Sequence, residues 1–157
     1  MGGTMAARIY LAGFDTYYAD AMVQTDAVRQ LCADLGFVSV FPAQVVIDSS
    51  GEVSPELAAT IFQRDVDLLR TCDIVAASLF SSDGVESIAD IAFELGYAHA
   101  LGKPLYAYSP REMEGSYGDC VGVPINRMLS VPATMVYGNL TECLQRIRLE
   151  VADGIAA

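Results

Sequence analysis

Short apolar runs alternate with longer amphipathic stretches along almost the whole chain. Runs of five to seven residues at 8–12, 37–41, 73–79 and 104–108, with a shorter one at 134–137, predict strands. Between them, apolar residues recur at helical spacing over 19–35, from Ser54 to about Thr71, over 88–102 and over 140–152. Gly36, Pro42 and the Gly102-Lys103-Pro104 sequence punctuate these segments. Ser54-Pro55-Glu56 supplies a cap, a first-turn proline and an acid at the positive end of the helix dipole. Segments 44–51, 80–87 and 109–123 read as loops, and 124–129 as one helical turn. Strands alternating with helices mean βαβ units, hence an α/β protein with an open parallel sheet of about five strands flanked by helices.

Ligands of such sheets sit beyond the carboxyl ends of the strands. Gly13, Phe14 and Asp15, the loop before Ser87, and the 109–123 segment are therefore expected around one crevice. The sheet is of flavodoxin or Rossmann type, but the first strand is not followed by Gly-x-Gly-x-x-Gly. No Gly-x-x-x-x-Gly-Lys-Ser/Thr occurs either, so neither a dinucleotide site nor a P-loop is expected.

The helix at 88–102 holds the unusual chemistry. Ile88, Ile91, Leu95, Ala98 and Leu101 form its apolar stripe, and Glu94 lies among them with Asp90 one turn earlier. Like charges at i and i+4 repel. Such a pair is tolerated when both face water, which is the commoner case for a helix carboxylate, or when a site uses two carboxylates of different pKa. Gly96 in mid-helix costs roughly 1 kcal/mol against alanine and suggests close approach of a neighbouring backbone.

Composition narrows the function classes. The 157 residues are 53% hydrophobic and 18% charged, with a net charge of −11. That fits one globular domain at 8–157 after a flexible lead-in at 1–7, and it disfavours a nucleic acid polymer as partner. No bilayer-spanning run or export signal is read, so a cytoplasmic protein is expected, without membrane attachment. Cys32, Cys72, Cys120 and Cys143 are dispersed and His99 is the single histidine, so no metal site is expected and the thiols read as core residues. Asn139-Leu140-Thr141 matches a glycosylation sequon, but an N-cap for the last helix explains it better.

Four separated pieces resemble the nucleoside 2-deoxyribosyltransferases in order and spacing, from about Arg8 to Leu129. They are Ile9-Tyr-Leu-Ala-Gly13, Asp65 followed by Leu69-Arg-Thr-Cys-Asp73, Phe93-Glu-Leu-Gly-Tyr-Ala98, and Pro124-Ile-Asn-Arg-Met128. The resemblance implies a retaining double displacement without metal or cofactor. Glu94 would be the nucleophile, Tyr10 would orient it, and Asp65 would shape the base-binding end. Asn126 would reach into a neighbouring subunit's site to hold the sugar hydroxyls, which implies a homo-oligomer. Each has a plainer reading: Tyr10 as a core aromatic, Asp65 as a solvated acid, Asn126 as a turn cap. The expected partners are a 2′-deoxynucleoside and a free nucleobase, with Phe14, Tyr17 and Tyr18 placed to stack on the base.

One departure stands out. The family's aspartate six positions before the nucleophile, which handles the proton of the departing base, is Ile88 here. Asp90 is the first substitute to consider, because it shares a helix face with Glu94; Glu86 and Asp83 are others. Two alternatives follow. One is an N-glycosidase of 2′-deoxynucleoside 5′-monophosphates, whose phosphate cradle would draw on Ser78, Ser81, Ser82 and Ser87. The other is a non-catalytic nucleotide-binding module.

Overall fold

A computed structural model describes residues 6–13, 21–42, 54–79, 85–110 and 126–152, with the side chains of 21–24 and 85–88 left out. Its elements in chain order are β1 (Arg8–Ala12), α1 (Ala21–Asp34), β2 (Val38–Val40), α2 (Pro55–Thr71), β3 (Ile74–Ser78), α3 (Val85–Ala100), β4 (Leu105–Ser109), α4 (Arg127–Ser130), β5 (Thr134–Tyr137) and α5 (Leu140–Ala152). The five strands form one parallel sheet in the order β2-β1-β3-β4-β5. Chain direction across the sheet reverses between β1 and β3, which places the topological switch point, and the expected crevice, at their carboxyl ends.

Alternation along the strands divides the core into two layers. Tyr10, Ala12, Val75, Ala77, Leu105 and Ala107 pack with Leu69, Ile91, Leu95 and Ala98 of α2 and α3. Ile9, Leu11, Ile74, Ala76 and Tyr106 pack on the other face with Cys32 of α1 and Cys143, Leu144 and Ile147 of α5. The two layers leave the central strands β1 and β3 buried on both sides, as an all-parallel sheet requires.

Local chemistry sets the element ends. Ser54 Oγ accepts from the Leu57 amide at 3.2 Å and starts α2. Asn139 Oδ1 accepts from the Glu142 amide while Glu142 Oε2 accepts from the Asn139 amide, both at 3.0 Å; this reciprocal capping box starts α5 and accounts for the sequon-like triplet. Gly36 and Gly102 follow α1 and α3 at positive φ, where a left-handed residue ends a helix most easily. Lys103, just past α3, donates through Nζ to the carbonyls of Arg70 and Cys72 at the end of α2.

Several boundaries differ from the sequence reading by a few residues. β2 and β3 are each one residue shorter at both ends, α1 ends at Asp34, residues 85–87 belong to α3, which ends at Ala100, β4 is shifted to Leu105–Ser109, and the short helix α4 begins at Arg127. Gly96 is exposed and, among the described residues, has no neighbour within 4 Å of an added Cβ. No helix of the described residues is long and apolar enough to cross a membrane.

Candidate active site

Helical spacing carries Glu94 into the core. Ile91, Leu95 and Ala98 of α3 are buried against the sheet, and Glu94 shares their face, with only 8% of its surface exposed. The solvated state favoured by the helix alone is therefore not the one adopted. A buried carboxylate must find a hydrogen bond, and Glu94 finds it on β1. The fully buried Tyr10 donates its hydroxyl hydrogen to Glu94 Oε1. Tyr10 is thus both a core strand aromatic and a polar partner.

The electrostatics follow from that burial. The Glu94 carboxyl is raised from 4.5 to about 7, chiefly by desolvation; the Tyr10 hydrogen bond pulls against that rise, and the charges of Asp65 and Asp90 add to it. The Tyr10 phenol is held far above its ordinary range, first by burial and then by the charge of Glu94, with Asp65 contributing. Asp65, half-buried on α2, therefore acts on both members of the pair. Asp90 is exposed one turn before Glu94. A carboxylate with one oxygen tied to a phenol and its pKa near neutrality is suited to nucleophilic or proton-transfer work.

Gly13 ends β1 with φ of +71°. A Cβ there would come within 2.5 Å of Ile91 Cδ1 and 3.2 Å of the Ser78 carbonyl oxygen. The glycine lets α3 settle onto the carboxyl ends of β1 and β3, which fixes the height of Glu94 over Tyr10. Position alone suggested Gly13 as a crevice residue; its packing role was not readable from sequence.

Asn126 caps α4, accepting through Oδ1 from the Met128 amide at 2.9 Å. The side chain is exposed and bonds within its own cap, while α4 packs beside α3. Met128 and Val131 of this turn point outward, 78% and 79% exposed, whereas Leu129 is buried. Phe14, Tyr17, Tyr18, Ser81, Ser82, Asp83 and Cys120 lie outside the described residues, as do the side chains of Glu86, Ser87 and Ile88. The helical backbone at Ile88 belongs to the first turn of α3.

Two features were not read from the sequence. Exposed aromatics line the outer side of α2 and α3: Phe62 lies 5.6 Å from Phe93 between ring centroids, and Phe93 stacks on Tyr97 at 6.1 Å. Arg70 extends the row, donating through Nε to the Tyr97 hydroxyl at 2.7 Å. Ser109, at the carboxyl end of β4, is fully buried, and its hydroxyl finds no hydrogen-bond partner among the described residues. An unmet buried group of this kind costs about 1–3 kcal/mol. Among the described residues, no group of three or more His, Cys, Asp or Glu is arranged to hold a metal ion.

The geometry can be compared with known proteins. The family model described as nucleoside 2-deoxyribosyltransferase matches residues 9–128. Among solved structures, the chain is similar to a 2-desoxiribosyltransferase from Leishmania mexicana, with 29% identity and a TM-score of 0.66 over 91% of this chain and 97% of that one. It is also similar in fold to a 2-deoxyribosyltransferase from Bacillus psychrosaccharolyticus, with 21% identity and a TM-score of 0.60 over 90% of each chain. No curated protein matches the sequence significantly.

Proposed function

The chain belongs to the nucleoside 2-deoxyribosyltransferase family of enzymes, and from that premise we propose that it moves 2-deoxyribose between nucleobases of 2′-deoxynucleosides by double displacement on Glu94. The observation that carries the proposal is the buried Tyr10–Glu94 hydrogen bond beneath the carboxyl ends of β1 and β3.

In the first step, ionised Glu94 attacks the anomeric carbon, a glycosyl ester forms, and the C1′–N bond breaks as the departing base takes a proton. In the second, an incoming base attacks the same carbon and gives up its N–H proton to the group that supplied the first one, the ester bond breaks, and Glu94 is released as carboxylate. Tyr10 fixes one carboxylate oxygen and leaves the other for attack. Asp90, exposed on the same helix side, is our choice for the group that passes the base its proton in place of the residue at Ile88. Asp65 stands at the base end. The Asp65, Asp90 and Glu94 group disfavours a 5′-phosphate near the nucleophile, which supports free nucleosides as substrates.

The reading includes a homo-oligomer in which Asn126 serves the site of a neighbouring copy. The outward-facing Met128 and Val131 beside Asn126, and the exposed Phe62 and Phe93, support such a contact. It also includes a cytoplasmic setting, supported by the buried free thiols of Cys32, Cys72 and Cys143.

The test is chromatography of 2′-deoxyinosine or thymidine incubated with the protein, with and without adenine, beside Glu94→Ala. New 2′-deoxyadenosine that depends on Glu94 is the expected result. Free base without exchange product means hydrolysis instead, to be retested on 2′-deoxynucleoside 5′-monophosphates. No turnover of any of these sinks the enzymatic reading and leaves a binding module.

A further inference from the structure

Ser109 lies on the same side of the sheet as the Tyr10–Glu94 pair. Leu105 and Ala107 of β4 point into the layer beneath α2 and α3, and side chains two apart share a face, so Ser109 points there too. Tyr10 is level with Val75, and Val75 with Leu105. Ser109 therefore stands four residues, about 13 Å, nearer the carboxyl edge than Tyr10. Laterally, α2 with Asp65 packs against β1 and α3, while α3 also packs on β3 and β4. Glu94 thus has Asp65 on its β1 side and Ser109 on its β4 side.

We propose that Ser109 positions the substrate by hydrogen-bonding the 5′-hydroxyl of the bound deoxyribose. This rests on the functional reading above, in which Asp65 stands at the base end, so that the sugar's far end points toward β4. A serine hydroxyl both donates and accepts, as does the sugar hydroxyl. The Ser109 hydroxyl is fully buried and its bonding capacity is unused by the described residues. In such a buried, low-dielectric place a hydrogen bond to a ligand hydroxyl is stronger than at an exposed serine. The proposal requires a side-chain rotation at the carboxyl edge, an ordinary accompaniment of binding, to bring the hydroxyl into contact with the ligand.

The test measures nucleoside binding by calorimetry on Glu94→Gln protein, which holds substrate without consuming it, with and without Ser109→Ala. The probes are 2′-deoxyadenosine and thymidine, each beside its 5′-deoxy analogue. Ser109→Ala is expected to weaken the 5′-hydroxyl nucleosides about 3- to 10-fold, to leave the 5′-deoxy analogues unchanged, and not to lower the melting temperature. Ser109→Cys, nearly the same size and a weak donor, should repeat the loss. Equal losses for both members of each pair, no loss for either, or a lower melting temperature in both variants overturns the proposal. Transfer by the wild-type protein is scored separately. Absent transfer with the binding pattern intact sinks the enzymatic reading alone; absent binding of every nucleoside sinks both.

Discussion

Tyr10 and Glu94, 84 residues apart in sequence, meet in the buried layer between β1 and α3, the phenol donating to the carboxylate. The bond pulls the Glu94 pKa down while burial pushes it up to about 7. Only the ionised form attacks, so kcat/KM for a 2′-deoxynucleoside should fall as pH drops below about 7. Tyr10→Phe removes the one downward influence and should move that limb to higher pH. A pH–rate profile of the two proteins decides it; an unmoved limb means that Glu94 is not the group being titrated.

The same raised pKa links folding to pH. Folded Glu94 holds its proton more tightly than the unfolded chain does, so the unfolded state binds fewer protons between the two pKa values. Stability from this group is intact below about pH 4.5 and is lost as pH rises to about 7. The loss is of order 3 kcal/mol. Glu94→Gln should escape it while transfer drops roughly 10³-fold. Urea melts at pH 5 and pH 8 should show the variant gaining on the wild type at the higher pH. A constant gap would mean that the buried carboxyl carries no such penalty.

Gly13→Ala forces a side chain into a left-handed backbone position and against Ile91. A stability loss of roughly 1–2 kcal/mol is expected from the backbone alone. Because Ile91 and Glu94 lie on one turn of α3, kcat should fall more than the stability loss explains at temperatures where the variant is fully folded. Thermal melts with kcat measured well below the midpoint separate the two effects. An unshifted midpoint would show that the contact relaxes freely.

If Asn126 serves a neighbouring subunit, Glu94→Ala and Asn126→Ala chains should each be inactive and should complement when mixed. In a two-fold assembly, random exchange yields about a quarter of wild-type activity, since one site of each mixed pair is intact. Met128→Glu should abolish both association and complementation, read by size-exclusion chromatography and assay. Inactivity of the mixture, with exchange shown by a mass tag, would confine each site to one chain.

Much of this arrangement is legible in the sequence, for identifiable reasons. Strand and helix ends fall at Gly36, Pro42, Gly102 and Pro104 because those residues terminate elements by their own backbone preferences. The stripe of Ile91, Leu95 and Ala98 already enclosed Glu94. What periodicity does not convey is whether a carboxylate in such a stripe escapes to water; that depends on Tyr10, a residue on another element. Gly96 is ambiguous for the opposite reason. A mid-helix glycine signals either close approach or nothing, and among the described residues it lies on the exposed side with open space around it. Ser109 carries no signal at all, because an unmet hydroxyl exists only once every neighbour is in place. Asn126 shows both sides: its cap is visible as a local pattern, while any service to another copy is a matter of assembly.

The lysine that follows α3 gives the site a mechanical character. Lys103 grips the last carbonyls of α2, so the two helices bearing Asp65 and Glu94 are fastened together at the end farthest from the crevice. Asp65 and Glu94 both lie in the carboxyl-terminal halves of their helices, so this fastening limits how far the two carboxylates can move apart. Their spacing is thus restrained by a lysine that lies at the opposite edge of the sheet from the crevice.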